Sequence, residues 1–331
     1  MAMKFTRRTA IKLFLALPGA RAGSALAQNA AYPTHQIRLI IPSTPGGGPD
    51  AVARLVALML SERWGVPVVP ENVAGASQQL GTNSVVRAVP DGYRVLFAPP
   101  TPITIAENFE PKPSYVAQRE LAPAALIGKN PALIVVNDTL GVRTMADFVA
   151  LAKKEPKKIN YGSPGQGSAF HLITELVSHD ANIELTHVPY RGSGPAVIGL
   201  LGNEVQFLVQ SGESVQGHIK SAKLHALATL ESKRMDSFPE VPTLAESGLR
   251  NLDILNWYGV FLPAATPKEI VGFWEKELAK LAQDPAFQQK MRDMSFDPVY
   301  FDAKTFAQMM DAERKQWARV IQVANIDTSK Q

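Results

Sequence analysis

The chain has 331 residues, of which 46% are hydrophobic and 19% charged, a balance typical of a folded globular protein rather than a disordered or fibrous one. This length is enough for about two domains of ordinary size. The sequence contains no cysteine, which excludes disulfide frameworks, zinc sites built on thiolates, cysteine nucleophiles and lipid anchoring through cysteine.

The positive net charge of +4 comes from the N-terminal segment. Residues 1–27 carry five of the 34 Lys and Arg residues and no acidic residue. Without them, 29 basic residues face 30 acidic ones, a net charge of −1. This balance produces no overall positive field, so nucleic acid and anionic lipid are not predicted partners.

The N-terminal segment also has the parts of an export signal. A basic start is followed by a short apolar stretch at residues 13–17, and Ala25-Leu26-Ala27 is typical of a cleavage site. We predict a signal peptide over residues 1–27, cleavage after Ala27 and a periplasmic protein; an uncleaved anchor is the alternative. Residues 6–12 resemble a twin-arginine signal, but Ala10 stands where a bulky apolar residue is usual, so Tat and Sec export both stay open. No later segment has the ~20 apolar residues of a membrane span.

Strand-like and helix-like stretches alternate along the mature chain, which predicts α/β layers with parallel strands. The first unit is a strand at residues 37–41, a glycine loop at 42–48 and a helix beginning at Pro49 and Asp50. The pattern continues with a strand at 66–69, a helix at 78–89 and a strand at 93–98, half of a doubly wound sheet. Residues 99–123 are rich in proline and are predicted to be irregular.

The unit of strand, glycine loop and helix occurs a second time, at residues 159–161, 162–168 and 169–178. The other elements predicted around it are strands at 133–136, 184–188, 205–209 and 224–230 and helices at 145–154, 195–201 and 215–222. After a polar stretch at 231–256 we predict a strand at 257–262 and helices at 267–281 and 303–323, which return to cover the first sheet. Two lobes of this kind would form a cleft at the carboxyl ends of their strands, with the glycine loops facing each other.

Each glycine loop precedes a helix, whose N-terminus offers unpaired amide groups and a partial positive charge to an anion. A tight turn that binds nothing is the alternative, but it becomes less favoured because the pattern occurs twice. Neither loop is a nucleotide phosphate loop or a GxGxxG fingerprint, and neither contains Lys or Arg. We therefore expect a carboxylate held by backbone amides and by hydroxyl groups such as those of Ser43, Thr44, Ser163 and Ser168.

Catalytic motifs are not found. The GxSxG elbow does not occur, because Tyr161 stands two residues before Ser163, and the six histidines show no HExxH pattern. His171 follows the second glycine loop and either contacts the ligand or fixes the loop, with the structural role favoured. His187 is expected to pack within its strand. Asp50 and Asp91 occupy positions where aspartate usually caps a helix or turn.

The mature chain resembles the Bug (TctC-like) solute-binding proteins of tripartite tricarboxylate transporters. The resemblance spans nearly the whole mature chain in order and spacing. It is carried by Tyr32-Pro33, residues 37–42, Pro45-Gly46-Gly47-Gly48 with Asp50 and Arg54, Glu71-Asn72, Gly75-Ala76, Pro90-Asp91-Gly92-Tyr93, Tyr161, Ser163, Gly165, Gly167-Ser168, His171-Leu172, His187-Val188-Pro189-Tyr190-Arg191-Gly192, Pro239, Val241-Pro242-Thr243, Ala245-Glu246, Gly248, Trp257, Gly259, Pro263-Ala264 and Thr266-Pro267.

This resemblance implies an α/β chain with a type II periplasmic-binding-protein fold, two doubly wound lobes and a ligand cleft between them. We place lobe I at residues 28–130 plus 250–331 and lobe II at 131–249. The resemblance also implies a small carboxylate ligand, bound partly through waters, no catalysis, no cofactor or metal, and integral membrane subunits of a tripartite transporter as partners. The predicted ligand-binding residues are Ser43, Thr44, Pro45, Gly46, Gly47, Gly48, Ser77, Gln78, Ser163, Gly165, Gly167, Ser168, His171 and Gln210.

The chain departs from the family pattern at several positions. Pro49 replaces a usual threonine or serine, and Ser77 and Gln78 replace a common glycine pair, adding side chains to the cleft. Gln210 stands where an acidic residue is frequent, which we expect to disfavour a ligand with an amino group.

Two other functions are considered. A sensor that presents its closed form to a membrane kinase would use the same site, and an exported enzyme is less favoured because no cofactor motif occurs. The identity of the carboxylate is not predicted from the sequence. A monomer is the expected state of a shuttle protein.

Overall fold

The computed structural model describes residues 32–250, 252, 256–324, 326 and 329. The predicted signal peptide and its cleavage site lie outside these residues. Within the described part of the chain, no helix is long and apolar enough to cross a membrane.

Six strands form the first sheet, in the spatial order β11 (Phe301–Asp302), β4 (Leu121–Lys129), β10 (Trp257–Pro263), β3 (Arg94–Ala98), β1 (Ile37–Ile41) and β2 (Val68–Asn72). β1 pairs in parallel with β2 and β3, as predicted. β10 pairs antiparallel to β3 and β4, so the prediction of parallel strands is wrong there. The reason is topological: the chain returns from the second sheet and enters the first one from the opposite end.

Five strands form the second sheet, in the order β7 (Thr186–Pro189), β6 (Asn160–Ser163), β8 (Phe207–Ser211), β5 (Ala132–Asn137) and β9 (Leu224–Thr229). β6 is parallel to β7 and β8, whereas β5 is antiparallel to β8 and β9. The prediction of parallel strands therefore fails for β5 as well. Every residue of β5 and β8 is buried, as expected of central strands that are covered on both faces.

The helices cover both sheets. In chain order they are α1 (Gly48–Trp64), α2 (Gln79–Val86), α3 (Ala117–Glu120), α4 (Met145–Lys154), α5 (Ala169–Ala181), α6 (Ser193–Leu201), α7 (Gly212–Lys220), α8 (Lys268–Gln283), α9 (Pro285–Asp293) and α10 (Ala303–Val323). α1 begins with Pro49 in its first turn and ends at the left-handed Gly65, the usual start and stop residues of a helix.

α10 contributes to the cores of both sheets. Near its start, Phe306 and Met310 pack in the cluster that contains Leu96 of β3. Toward its end, Trp317 and Ile321 belong to the cluster on the second sheet. The helix thus covers the first sheet, as predicted, and also completes the core of the second.

Four elements were not predicted: β4, α9, the short helix α3 and the two-residue strand β11. β4 begins inside the proline-rich region expected to be irregular, and its alanine-rich sequence around Pro123 lacks the alternation of a half-buried strand. It pairs with β10 across two irregularities in register, which accommodate the proline. α9 is polar and only nine residues long, so its apolar period is short.

Candidate ligand-binding cleft

A cleft of about 510 Å³ lies between the loops that follow the strands of the two sheets. Loops after β1 and β2 form one wall, and loops after β6 and β7 form the other. The lining residues are Pro42, Ser43, Thr44, Ala74, Gly75, Ala76, Ser77, Gln78, Pro164, Gly165, Tyr190, Arg191 and Gly192. The volume is within the usual range for small-molecule sites.

A smaller cavity of about 40 Å³ shares Gln78 and Pro164 with the cleft. Its walls are polar on several sides, with Ser168, Ser193 and Tyr258 among the lining residues.

Asp50 stabilises the first glycine loop through hydrogen bonds. Its carboxylate accepts hydrogen bonds from the Gly46 amide, Arg54 Nε and Asn72 Nδ2, each at 3.0 Å. Burial alone would raise the pKa of Asp50, but these hydrogen bonds and the Arg54 charge outweigh it, so the pKa lies below its usual value. Asn72 Nδ2 also donates to the Ser43 carbonyl at 3.1 Å, which ties the loop to the end of β2.

The wall after β2 has an unusual backbone. Ala76, Ser77 and Gln78 all have positive φ, at 46°, 48° and 73°. This left-handed region is sterically unfavourable for residues other than glycine. Backbone strain of this kind is found most often at functional sites. Ser77 Oγ donates to the Gln166 carbonyl at 3.1 Å, which joins this wall to the second glycine loop across the cleft.

The second glycine loop rests on stacked histidines. The ring of His187 lies 4.2 Å from the ring of His171 and 4.7 Å from that of Tyr161, measured between centroids. His187 Nε2 is 2.7 Å from Ser163 Oγ, and the Gly167 amide donates to His171 Nδ1 at 3.1 Å. Both histidines therefore support the loop from behind.

These histidines are neutral at neutral pH. Burial, with a contribution from the charge of His187, lowers the pKa of His171 to about 3. Burial likewise lowers the pKa of His187 to about 4. Neutral rings accept and donate hydrogen bonds to the loop without placing a charge behind it.

A buried polar cluster joins the first loop to the second sheet. Tyr258 OH accepts from Asn130 Nδ2 at 2.8 Å, and Ser211 and Ser214 donate to Glu213 Oε1 at 2.5 and 2.8 Å. Burial raises the pKa of Glu213 despite these hydrogen bonds. Gly48 packs so closely here that a Cβ atom on it would lie 2.5 Å from Glu213 Oε1 and 2.6 Å from Tyr258 OH.

The structure brings part of the predicted site into the cleft lining. Ser43, Thr44, Ser77, Gln78 and Gly165 line the cleft, and Gln78 and Ser168 line the smaller cavity. The remaining predicted residues lie outside both linings: Pro45, Gly46, Gly47, Gly48, Ser163, Gly167, His171 and Gln210. Contact of any of these residues with a ligand stays a prediction.

Two of the residues outside the lining have clear structural partners. His171 is 3% exposed and accepts from the second loop, the role favoured by the sequence. Gln210 is fully buried, donates to the Ser193 carbonyl at 3.4 Å and accepts from the Ser211 amide at 2.9 Å. Ser211 links Gln210 to an acidic residue not predicted from the sequence, because its hydroxyl donates to Glu213 Oε1 at 2.5 Å.

The loop after β7 adds Tyr190, Arg191 and Gly192 to the cleft. These residues belong to the motif that carries the family resemblance, but they were not predicted as site residues. The signal was available, because they follow a predicted strand and precede a predicted helix, as both glycine loops do. Among the described residues, no group of three or more His, Asp or Glu side chains could hold a metal ion.

Two α/β sheets with a cleft at the carboxyl ends of their strands are the arrangement of the type II periplasmic-binding-protein fold. The model of the family "Tripartite tricarboxylate transporter family receptor" (TctC) matches residues 52–326. The chain belongs to this family of solute-binding proteins, which confirms the resemblance seen in the sequence.

Relatives and solved structures agree with this assignment. A UPF0065 protein from Pseudomonas sp. strain P51 is 32% identical over 88% of this chain and 87% of its own. Protein BugT of Bordetella pertussis is 31% identical over 88% and 89%. The structure of R. palustris Rpa4515 with adipate is 29% identical, covers 89% of this chain and 99% of its own, and has a TM-score of 0.86. The periplasmic binding protein BugD is 28% identical over 91% and 100%, with a TM-score of 0.84.

Proposed function

We propose that this protein captures a small carboxylate in the cleft outside the cytoplasm and delivers it to integral membrane subunits of a tripartite tricarboxylate transporter. The observation that carries the proposal is the chemistry of the cleft wall. It offers hydroxyl groups and loop backbone, and none of the described residues that line it is acidic. An anion is the ligand that such a wall favours.

Unsatisfied polar atoms in the lining point to a ligand with polar groups. Ser43 Oγ and Gln78 Oε1 are buried and have no hydrogen-bond partner among the described residues. Buried polar atoms normally have partners, and each exception requires an explanation. A bound carboxylate would accept from Ser43, and a bound water or ligand hydroxyl would donate to Gln78.

The function does not require catalysis, a cofactor or a metal, and we propose that the protein is a monomeric receptor rather than an enzyme. Capture requires that the lobes close on the ligand, since closure is what a membrane partner can detect. We keep the predicted boundaries, lobe I at 28–130 plus 250–331 and lobe II at 131–249, as part of this proposal.

A thermal-shift screen tests ligand capture. The purified protein is dialysed to remove bound acids and then heated with mono-, di- and tricarboxylates, aromatic acids and amino acids. A ligand present at 100 times its dissociation constant stabilises the native state by about 2.7 kcal/mol, a shift of a few degrees. Selective stabilisation by one class of acid is expected. A folded, ligand-free protein that responds to no carboxylate would contradict the proposal.

A variant that fills the cleft makes the test specific. Ala74 is exposed and lines the cleft, so Ala74→Trp should abolish the ligand-induced shift while leaving the melting temperature without ligand nearly unchanged. Ala265→Trp places the same side chain at an exposed turn outside the lining and should leave the shift intact. Equal responses from the two variants would place the ligand elsewhere.

Export and delivery are tested in cells. We expect N-terminal sequencing of the periplasmic protein to begin at Gln28. Uptake of the radiolabelled acid should require both this protein and the membrane subunits. Normal uptake in cells that lack this protein would favour a sensor role instead.

A further inference from the structure

We propose that Arg191 binds the second carboxylate of a dicarboxylate ligand and thereby determines the preference for diacids over monoacids. This inference rests on the proposed function and identifies a specificity residue of the same cleft. Among the described residues that line the cleft, Arg191 is the only one with a charged side chain. The smaller cavity has no charged lining residue in the described part of the chain.

The backbone on both sides of Arg191 is fixed. The Tyr190 amide donates to the Ser163 carbonyl at 2.9 Å, and the Gly192 amide donates to the Pro164 carbonyl at 3.0 Å. Tyr190 OH donates to Glu204 Oε2 at 2.9 Å. These contacts hold the loop after β7 against the second glycine loop, so the position of Arg191 follows that loop.

The same loop approaches the first glycine loop. A Cβ atom on Gly192 would lie 2.7 Å from Thr44 Oγ1, which shows how closely the two walls meet beside Arg191. The arginine therefore stands at the place where both walls of the cleft converge, at its exposed side.

The guanidinium group of Arg191 is available. Within the described residues it takes part in no salt bridge, unlike Arg54 behind the first loop, whose partner is Asp50 at 2.9 Å. Arg191 is exposed and offers a planar set of donors that matches a carboxylate in a bidentate arrangement.

The charge balance of the cleft leads to the same conclusion. One carboxylate can be satisfied by amides and hydroxyl groups of the two glycine loops. A second carboxylate on the same ligand would lose hydration in a wall that offers no other cation, and Arg191 is the group that compensates this cost. A monoacid has no such requirement.

Isothermal titration calorimetry with matched ligands tests the inference. Succinate, glutarate and adipate are each compared with their monomethyl esters, which keep the chain length and remove one negative charge. The unmodified protein should bind at least one diacid about tenfold more tightly than its ester. Arg191→Gln should remove this preference by weakening the diacid while changing ester affinity less than about twofold.

Two variants serve as controls. Arg191→Lys keeps the charge without the bidentate geometry and should restore part of the preference. Arg119→Gln removes one positive charge from an exposed position outside the cleft and should have no effect. Thermal unfolding of each variant verifies that it is folded.

The outcomes separate the two proposals. A preference for the diacid that survives in Arg191→Gln, or an equal loss of diacid and ester binding, overturns the role of Arg191 and leaves carboxylate capture standing. Equal affinity of the unmodified protein for diacid and ester also overturns the role of Arg191 and leaves carboxylate capture standing. Failure of the unmodified protein to bind any of these diacids overturns the role of Arg191. A lack of response to every carboxylate in the thermal-shift screen overturns carboxylate capture as well.

Discussion

Gln78 shows how one residue can carry strain at the cleft. Its φ of 73° is in the left-handed region, and its side-chain Oε1 atom has no partner among the described residues. The resemblance to the family implies glycine where this chain has Ser77 and Gln78, and the positive φ of both residues gives this departure a conformational cost. That cost could not be predicted from the sequence, because backbone angles in a loop depend on tertiary contacts.

We expect Gln78→Gly to be more stable than Gln78→Ala by about 1 kcal/mol. Both variants remove the same polar group, but only glycine adopts positive φ without steric cost. Urea unfolding of the two variants measures the difference. Alanine is normally favoured over glycine in folded elements, so an equal or higher stability of the alanine variant would show that position 78 is not strained.

The second glycine loop and the histidines behind it form one element of structure. The sequence predicted the loop, the helix after it and the structural role of His171, since each follows from local pattern. The stack of His171 on His187 was not predicted, because it joins residues from α5 and β7 that only the sheet brings together. The role of a residue within its own segment could therefore be predicted from the sequence, whereas a side-chain contact between distant segments could not.

The histidine stack makes stability depend on pH. Each histidine binds a proton with a pKa near 6.5 in the unfolded chain but only near 3 or 4 in the folded protein. Between these values the unfolded state holds more protons, so stability is complete above pH 6.5 and declines as the pH falls. Glu175, whose pKa burial raises, acts in the opposite direction and offsets part of the decline.

We expect the low pKa of His171 to reduce the free energy of unfolding by about 3 kcal/mol when the pH falls from 6.5 to 4. Urea unfolding measured across this range should show a steep decline for the unmodified protein and a shallower one for His171→Gln. His35→Gln alters an exposed histidine and should keep the original slope. An unchanged slope in His171→Gln would contradict the assignment.

At the scale of the whole molecule, the sequence predicted both lobes and their order. It placed β1, β5 and α4 within a residue or two of their observed bounds, because these elements have strong apolar patterns. It did not predict the antiparallel β10 or the strand β4, whose places depend on where the chain returns. Strand direction is a global property that local pattern does not encode.

The contact between the lobes at Gly48 gives a prediction at this scale. Gly48→Ala should lower stability by about 1–3 kcal/mol, because its Cβ atom would collide with Glu213 Oε1 and Tyr258 OH, and moving these atoms would disturb their hydrogen bonds to Ser211 and Asn130. Gly47→Ala is the matched control, since the nearest atom to its Cβ is 3.8 Å away. Differential scanning calorimetry of both variants measures the effect, and equal melting temperatures would contradict it.

The position of α10 determines whether the second lobe can be expressed as a separate fragment. Residues 131–249 contain every strand of the second sheet, so a gene fragment that encodes them looks like a natural unit for separate expression. Such a fragment would lack Trp317, Val320 and Ile321, which fill the core of that sheet from the far end of the chain. The uncovered apolar surface would favour aggregation. During synthesis, therefore, the second lobe can complete its core only after α10 has emerged from the ribosome.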